Sequence, residues 1–428
     1  MNGLGRLLGH TFDSLRIRNY RLYFAGQVVS VSGSWMQRVA QAWLVYHLSG
    51  SGLALGVVTG LQFLPVLVAG AWGGVLADRF DKRRLLLFTQ TAMGLLALAL
   101  GLLTISGLVQ LWMVYLLALA LGVVTASDNP ARQAFVMELV GRSHVMNAVS
   151  LNSAVFTLAR IVGPAVAGLL INAVGTGWCF LVNALSFGGV LVALAAMRRQ
   201  ELLPWEPSDR SRGGVLEGLR YAWSSLDLRV PLLLMAVVGT LALNFSVILP
   251  LMASQTFHGD AGTYGLLFST LGVGSLLGAL ITAGRREPSR RLLLLSLLAF
   301  GLFMLAAALA PSLWLELLML VPLGVAAVIF QATSNSTLQV NTDPALRGRV
   351  MALYSVVFMG TTPIGAPIVG LVSQAAGPRV GLALGGAAVL LAVAAFGLWS
   401  VRRARRGEGR LPVEDEDRAG IAGPVLRG

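Results

Sequence analysis

Charge is scarce in this 428-residue chain: Asp, Glu, Lys and Arg together make up 12% of it, and lysine occurs once, at Lys82. That lysine stands in no G-x-x-x-x-G-K-[ST] loop, which excludes a phosphate-cradling ATPase motif in this polypeptide. Cysteine also occurs once, at Cys179, so neither an intrachain disulfide nor a thiolate metal cluster can form. The four histidines, His10, His47, His144 and His258, fall near the start of the chain or in loops, and no H-E-x-x-H pair occurs. No metal and no cofactor is therefore expected. A G-x-S-x-G elbow and paired intramembrane carboxylates are also missing, which argues against a membrane enzyme.

What the chain has in abundance is apolar surface. Hydrophobic residues make up 56% of it and its mean hydropathy is +0.76, more than soluble domains can hide, so lipid has to be the solvent. Apolar runs near or above the ~20 residues that cross hydrocarbon recur from Tyr20 to Ser400. The expected spans are 20–46, 52–77, 85–106, 109–139, 145–172 and 177–197, then 229–254, 261–284, 291–310, 312–339, 349–375 and 379–401. The fold class is thus an all-α polytopic membrane protein of about twelve helices in two six-helix bundles. The first span carries Gln37, Arg38 and Gln41 and lacks the short apolar core of a cleavable leader, so it is expected to stay.

Cations set the orientation. On this map all but four of the 32 Lys and Arg residues fall in alternate loops, in the first two residues of the spans that follow them, or at the two chain ends, the exceptions being Arg38, Arg132 and Arg160 deep inside spans and Arg379 on the opposite side. Lys and Arg near span ends are retained in the cytoplasm, so both termini are expected there, in a plasma or inner membrane. The net charge of +13 is spread over loop after loop rather than gathered with aromatics, and topology explains it better than nucleic acid does.

Residues 198–228 form the longest polar stretch between spans and divide residues 1–197 from 229–401, six helices each. Six crossings return the chain to the same side, so the halves share an orientation. Gly122, Gly163 and Gly168 recur 202 positions later as Gly324, Gly365 and Gly370. Residues 402–428 turn from basic to acidic and read as a disordered cytoplasmic tail. Leu4, Leu7, Leu8, Phe12 and Leu15 near the start give a short interfacial helix.

Charges in hydrocarbon cost about 2.5–3.5 kcal/mol each on the lenient insertion scale, so those that remain point to a pathway. Asp128 is the one carboxylate well inside a span, within Ser127-Asp128-Asn129-Pro130-Ala131-Arg132-Gln133. Counted from the turn after span 4, its depth differs from that of Arg160 on span 5 by about 6 Å, which allows an ion pair. A competing reading has Asp128 or Asn129 capping a helix restarted at Pro130. Span 1 presents Gln27, Ser30, Ser34, Gln37, Arg38 and Gln41, a stripe that should face the bundle interior. Trp35 and Trp43 are lining residues or interfacial anchors. Spans 7 and 10 add Asn244, Gln331, Asn335 and Gln339, as cavity lining or as hydrogen bonds between helices. The expected cavity residues are Arg38, Gln41, Gln37, Ser34, Arg132, Asn244, Gln331 and Asn335. With three arginines against one acid, an anionic or hydrogen-bonding amphipathic substrate is favoured over a bare organic cation.

The run Gly74-Val75-Leu76-Ala77-Asp78-Arg79-Phe80-Asp81-Lys82-Arg83-Arg84 closely resembles the loop signature G-x-L-A-D-R-x-G-R-R/K of the major facilitator superfamily, with Asp81 in place of the second glycine. The resemblance implies a cytoplasmic gating loop in which Asp78, supported by Arg79 and Arg83 and preceded by Gly74, latches against span 11. Gly163-Pro164-Ala165-Val166-Ala167-Gly168 resembles the superfamily's antiporter signature, which makes Gly163, Pro164 and Gly168 a candidate hinge; a small-residue packing face with a Pro kink serves as well. The segments 35–38, 128–135 and 159–164 together resemble the branch containing the enterobactin exporter and macrolide efflux proteins. That implies export driven by proton antiport, through rocking of the halves about a cavity lined by spans 1, 4, 7 and 10. Asp128 would bind the proton and Arg160 would hold its deprotonated form. The partners are then a small-molecule substrate, protons and the lipid bilayer, and a monomer suffices. A lysolipid or lipid flippase and an importer of the same fold are the rival readings.

Overall fold

The structure is a computed structural model that describes residues 12–203, 215–285, 288–344 and 346–405, with the side chains of 70–78, 215–216 and 400–405 outside the described set. The expected interfacial helix near the start lies almost wholly outside it, leaving a single 3-10 turn at Asp13–Arg16. Of the expected tail, residues 406–428 are outside it, and 402–405 continue the last helix instead of leaving it.

Thirteen helices follow in the described residues. The first half has α1 (Arg18–Ser49), α2 (Gly52–Arg79), α3 (Lys82–Ile105), α4 (111–140), α5 (142–174) and α6 (Thr176–Ala195). The second has α8 (Leu226–Thr256), α9 (Ala261–Ala283), α10 (Arg290–Ala308), α11 (Leu313–Val340), α12 (Arg347–Ala376) and α13 (Pro378–Arg405). Between them lies the short α7 (Val215–Ser224), docked on the start of α12 by a 2.7 Å ion pair from Arg349 to Glu217. Ten helical runs are long and apolar enough to cross a membrane. One of these is α4 and α5 read together, and α1 falls short because its polar stripe lowers its hydropathy. Large apolar side chains such as Phe88, Leu169, Leu185 and Leu391 stand exposed on the outer faces, as lipid contact allows and water does not.

Single residues set the breaks. Gly141 is the one non-helical residue between Leu111 and Val174, at φ 66° and ψ −177°, a conformation that favours glycine. The helix runs unbroken through Asp128, Asn129 and Pro130, so the capping reading of that segment fails. Asp81 accepts a hydrogen bond from the Arg84 amide at 2.8 Å and caps α3; the substitution for glycine supplies a cap, not a tight turn. α8 contains two π turns, Val238–Ala242 and Met252–Thr256.

The repeated glycines make equivalent contacts. A methyl group placed on Gly122 of α4 would lie 2.4 Å from the Gln62 carbonyl of α2, and one on Gly324 of α11 would lie 2.4 Å from the Leu271 carbonyl of α9. Gly163 of α5 meets Trp35 of α1, as Gly365 of α12 meets Thr240 of α8. Gly168 closes on Ala261 across to the second half, and Gly370 closes on Gly52 across to the first. Gly175 and Gly377, also 202 positions apart, share φ near 93–95°. Only a residue without Cβ allows these approaches, so the spacing records pseudo-twofold packing.

The halves meet at one end. Gln374 Oε1 accepts from Ser51 Oγ at 2.6 Å, Asn172 donates to Asp260 at 2.6 Å, Ser269 donates to the Ile161 carbonyl at 2.7 Å, and Ser254 donates to Tyr46 at 2.9 Å. Trp43 stacks on Tyr264 there, so it joins the halves and is neither a lining residue nor an anchor. The opposite end carries the Arg-rich loops.

Candidate functional site

A cavity of about 730 Å³ runs along α1, bordered from Tyr23 near the Arg-rich end to Gln41 near the joined end, roughly 27 Å at helical rise. Its described lining comes wholly from the first half and includes Ser34, Gln37, Arg38, Gln41, Asp128 and Arg132. Asn244, Gln331 and Asn335 do not border it. Asn244 is buried and donates to the Thr240 carbonyl one turn back, Gln331 offers its main-chain oxygen to Tyr354, and Asn335 accepts from Gln339 at 2.5 Å. The expectation of a cavity shared by spans 1, 4, 7 and 10 is thus corrected: the described lining has no second-half residue, and the Asn244 and Asn335 amides bond within their own helices.

Asp128 is 1% exposed. Its Oδ1 accepts from Thr89 Oγ1 at 2.7 Å and Gln90 Nε2 at 2.8 Å, both on α3. Its Oδ2 accepts from Arg132 Nη2 at 2.6 Å and Nε at 3.2 Å, and Arg132 in turn donates to Gln27 of α1. The partner of Asp128 is therefore Arg132 on the next turn, not Arg160. Residues i and i+4 on one helix are already neighbours, so that pair needs no matching of depth between helices. The result is a charge-neutral pair tying α1, α3 and α4 at the cavity wall, with the Tyr23 hydroxyl buried nearby without a hydrogen-bond partner.

Arg160 sits elsewhere, its guanidinium 5.8 Å from the centre of the Trp35 ring, with that of Arg38 4.7 Å from the same ring. Trp35 is braced by Phe156 at 5.5 Å and by Phe268 of α9 at 5.9 Å. Trp35 lies eight residues beyond Gln27, about 12 Å further along α1. Gln37 accepts from Asn183 of α6 at 2.6 Å, and Asn183 accepts from Ser186.

In the gating loop, Gly74 and Asp78 fall where side chains are outside the described set, and Arg79 is exposed. Arg83 departs from the implied role: it is buried and donates to the Leu194 and Ala195 carbonyls at 2.8 and 3.1 Å, closing the end of α6 where free carbonyls attract a cation. Lys82 pairs with Glu138 at 3.0 Å. Gly163, Pro164 and Gly168 are buried in the contacts of α5 with α1 and α9.

A second buried acid escaped the sequence reading. Glu316 on the first turn of α11 is 0% exposed, and neither carboxylate oxygen has a hydrogen-bond partner. It is the fourth residue of α11, and the packing of α11 against its neighbours covers it. Arg379 at the start of α13 is the charge acting on it. Outside the spans, Asp260 caps α9 through the Thr263 amide at 2.9 Å. That hydrogen bond, with those from Asn172 and the Thr263 hydroxyl, holds its carboxyl below the usual range.

Comparison with known proteins agrees with this architecture. Residues 9–411 match the family described as transmembrane secretion effector. The multidrug efflux pump Tap of Mycolicibacterium fortuitum is 29% identical over 81% of this chain and 87% of its own. The enterobactin exporter EntS of Escherichia coli is 27% identical over 82% and 84%, and the staphyloferrin A transporter of Staphylococcus aureus is 24% identical over 61% and 66%. Among solved structures, an inward-facing, occupied bacterial homolog of the lysosomal transporter Spinster superposes with a TM-score of 0.70 at 16% identity, covering 89% of this chain and 97% of that one. The nucleoside transporter NupG gives 0.70 at 14%, covering 90% and 98%. The chain belongs to the transmembrane secretion effector family of the major facilitator superfamily, a family of multi-pass membrane transporters and not of enzymes.

Proposed function

We propose that this transporter is a proton-coupled exporter of amphipathic small molecules, siderophore-like or drug-like, that works by alternating access as a single chain. The observation that carries the reading is Asp128, a nearly inaccessible acid at a cavity wall whose charge is balanced by Arg132. With the Arg-rich loops on the cytoplasmic side, both termini are cytoplasmic and the joined end faces outward. The cavity is then loaded from the cytoplasm, the state in which an exporter meets its substrate.

Coupling follows from charge balance. While Asp128 is ionised, Thr89, Gln90 and Arg132 all donate to it. A proton on Asp128 removes an acceptor and leaves the Arg132 charge without its partner, so α1, α3 and α4 lose a shared tie and the balance between the two access states changes. Relatives whose names describe export of a siderophore or of drugs support the direction. In inverted vesicles, the wild type is expected to concentrate a substrate found by screening siderophores, macrolides, dyes and lysolipids when an inward-acid gradient is imposed. Asp128→Asn is expected to bind that substrate yet ignore the gradient. Wild-type coupling in Asp128→Asn would refute the assignment, and lipid movement indifferent to pH would instead mark a flippase.

A further inference from the structure

We propose that Arg38, Trp35 and Arg160 form an anion subsite at the deep end of the cavity, shaped for a negative group carried on a flat apolar ring, such as an aromatic carboxylate. The inference rests on the reading of the cavity as the transport site and adds to it the chemistry of what is held there.

Three other cations of the first half have partners. Arg132 is matched by Asp128, Lys82 by Glu138, and Arg83 by two helix-end carbonyls. Among the described residues, Arg38 and Arg160 make no ion pair and donate no hydrogen bond, and Arg160 Nε is buried without a partner. Both guanidinium carbons lie within 6 Å of one indole centroid, so they stand within about 12 Å of each other and their charges add in the space beside the ring. An indole face offsets part of the cost of holding such a cation, but it leaves the N–H donors unsatisfied.

Access and shape fit a ligand. Arg38 is exposed, and the space it opens to is the cavity, which Trp35 and Phe156 also border. A ring lying against Trp35 or Phe156 would bring a carboxylate to the planar fork of Arg38, able to bind it through two hydrogen bonds, while Arg160, which is not part of the described lining, adds its charge from within about 12 Å of that fork. Gln37 and Gln41 add neutral donors on the same helix, and the nearest acid at the cavity, Asp128, is already occupied with Arg132. A cationic ligand finds no free counter-charge among the residues named here. The subsite also lies on the seam of the halves, because Trp35 touches Phe268 and the Arg160 carbonyl lies against Gly272 of α9.

Equilibrium dialysis of the purified full chain in lipid nanodiscs tests this with three probes of one shape: 1-naphthoate, 1-naphthamide and 1-naphthylmethylammonium. Wild type is expected to bind naphthoate at least about tenfold more tightly than either of the others. Arg38→Gln and Arg160→Gln are each expected to bring the three within about twofold of one another, with Arg38→Lys keeping part of the preference. Should Arg160→Gln fail to fold, Arg38→Gln carries the test, since its side chain projects into open space. Asp128→Asn is expected to keep the preference while losing gradient-driven transport, which separates failure of coupling from failure of the subsite. Equal binding of the three probes by wild type, no binding of naphthoate, or an anion preference that survives Arg38→Gln would each overturn the proposal.

Discussion

The two halves of this transporter share a scaffold and differ in what they carry on it. The glycines at 122, 163 and 168 have counterparts at 324, 365 and 370 that make equivalent close approaches. The same offset of 202 takes Asp128 to Phe330, Arg132 to Ser334 and Arg160 to Thr362. Phe330 and Ser334 are both fully buried, so where the first half has a charged wall and a cavity, the second has packed side chains. The difference shows two kinds of constraint. Close helix packing is imposed by the geometry of pseudo-symmetry and must be met twice, whereas pseudo-symmetry imposes no charge, and the Asp128–Arg132 pair has no charged counterpart at Phe330 and Ser334.

The comparison can be broken most forcefully at the glycines. Gly122→Val and Gly324→Val each drive side-chain atoms into a carbonyl 2.4 Å away from the new Cβ. Both are expected to lose about 3 kcal/mol or more of stability, at the upper end for overpacking. Thermal unfolding in detergent would show similar losses for the two; tolerance of one alone would mean that the contacts are not equivalent.

A smaller effect sharpens the contrast at the charged wall. Asp128→Ala leaves Arg132 without its partner and is expected to cost about 2 kcal/mol, below the usual ~3–5 for a buried pair because Arg132 keeps some access to the cavity. Giving this wall the residues of the other half, Asp128→Phe with Arg132→Ser, is expected to recover most of the stability and none of the gradient-driven transport. Chemical unfolding alongside vesicle assays reads both. A double variant less stable than Asp128→Ala would show that the first half cannot accept the second half's packing.

The smallest effect concerns the clasp between halves. Asp260 has a depressed carboxyl pKa in the folded state, so its contribution is present above the unfolded value of about 4 and is lost as pH falls through the lower folded value. Asp260→Ala is expected to cost about 1 kcal/mol, the worth of a helix cap, near neutral pH and progressively less below about pH 4. A pH series of thermal unfolding checks it; a cost that grows on acidification would contradict the sign.

Much of the fold was readable because lipid imposes a simple rule. Each backbone polar group must be satisfied within its own segment, so long apolar runs become helices. The expected spans fall on the observed helices, with the turn between spans 4 and 5 reduced to Gly141. The polar stripe of α1 likewise predicted Gln37, Arg38 and Gln41 at the cavity. Of the candidate site, only the stripe of α1 and the two charged residues of α4 were legible, and not their pairing. The i, i+4 spacing of Asp128 and Arg132 was visible, yet comparison of depths favoured Arg160, and nothing in the sequence indicated that Thr89 and Gln90 of α3 would turn toward the acid. Helix rotation decides that, and it is fixed by packing against several neighbours at once.

By itself the sequence determined that this chain crosses a membrane many times in two related sets of helices, with few charges at depth. These properties depend on composition and spacing along the chain, which hydrocarbon reads directly. Tertiary structure alone decided that Arg132 and not Arg160 balances Asp128, that Glu316 is enclosed, and that the cavity belongs to the first half. Each of those depends on which helix faces lie together, and that choice is made by the sum of many weak side-chain contacts distant in sequence.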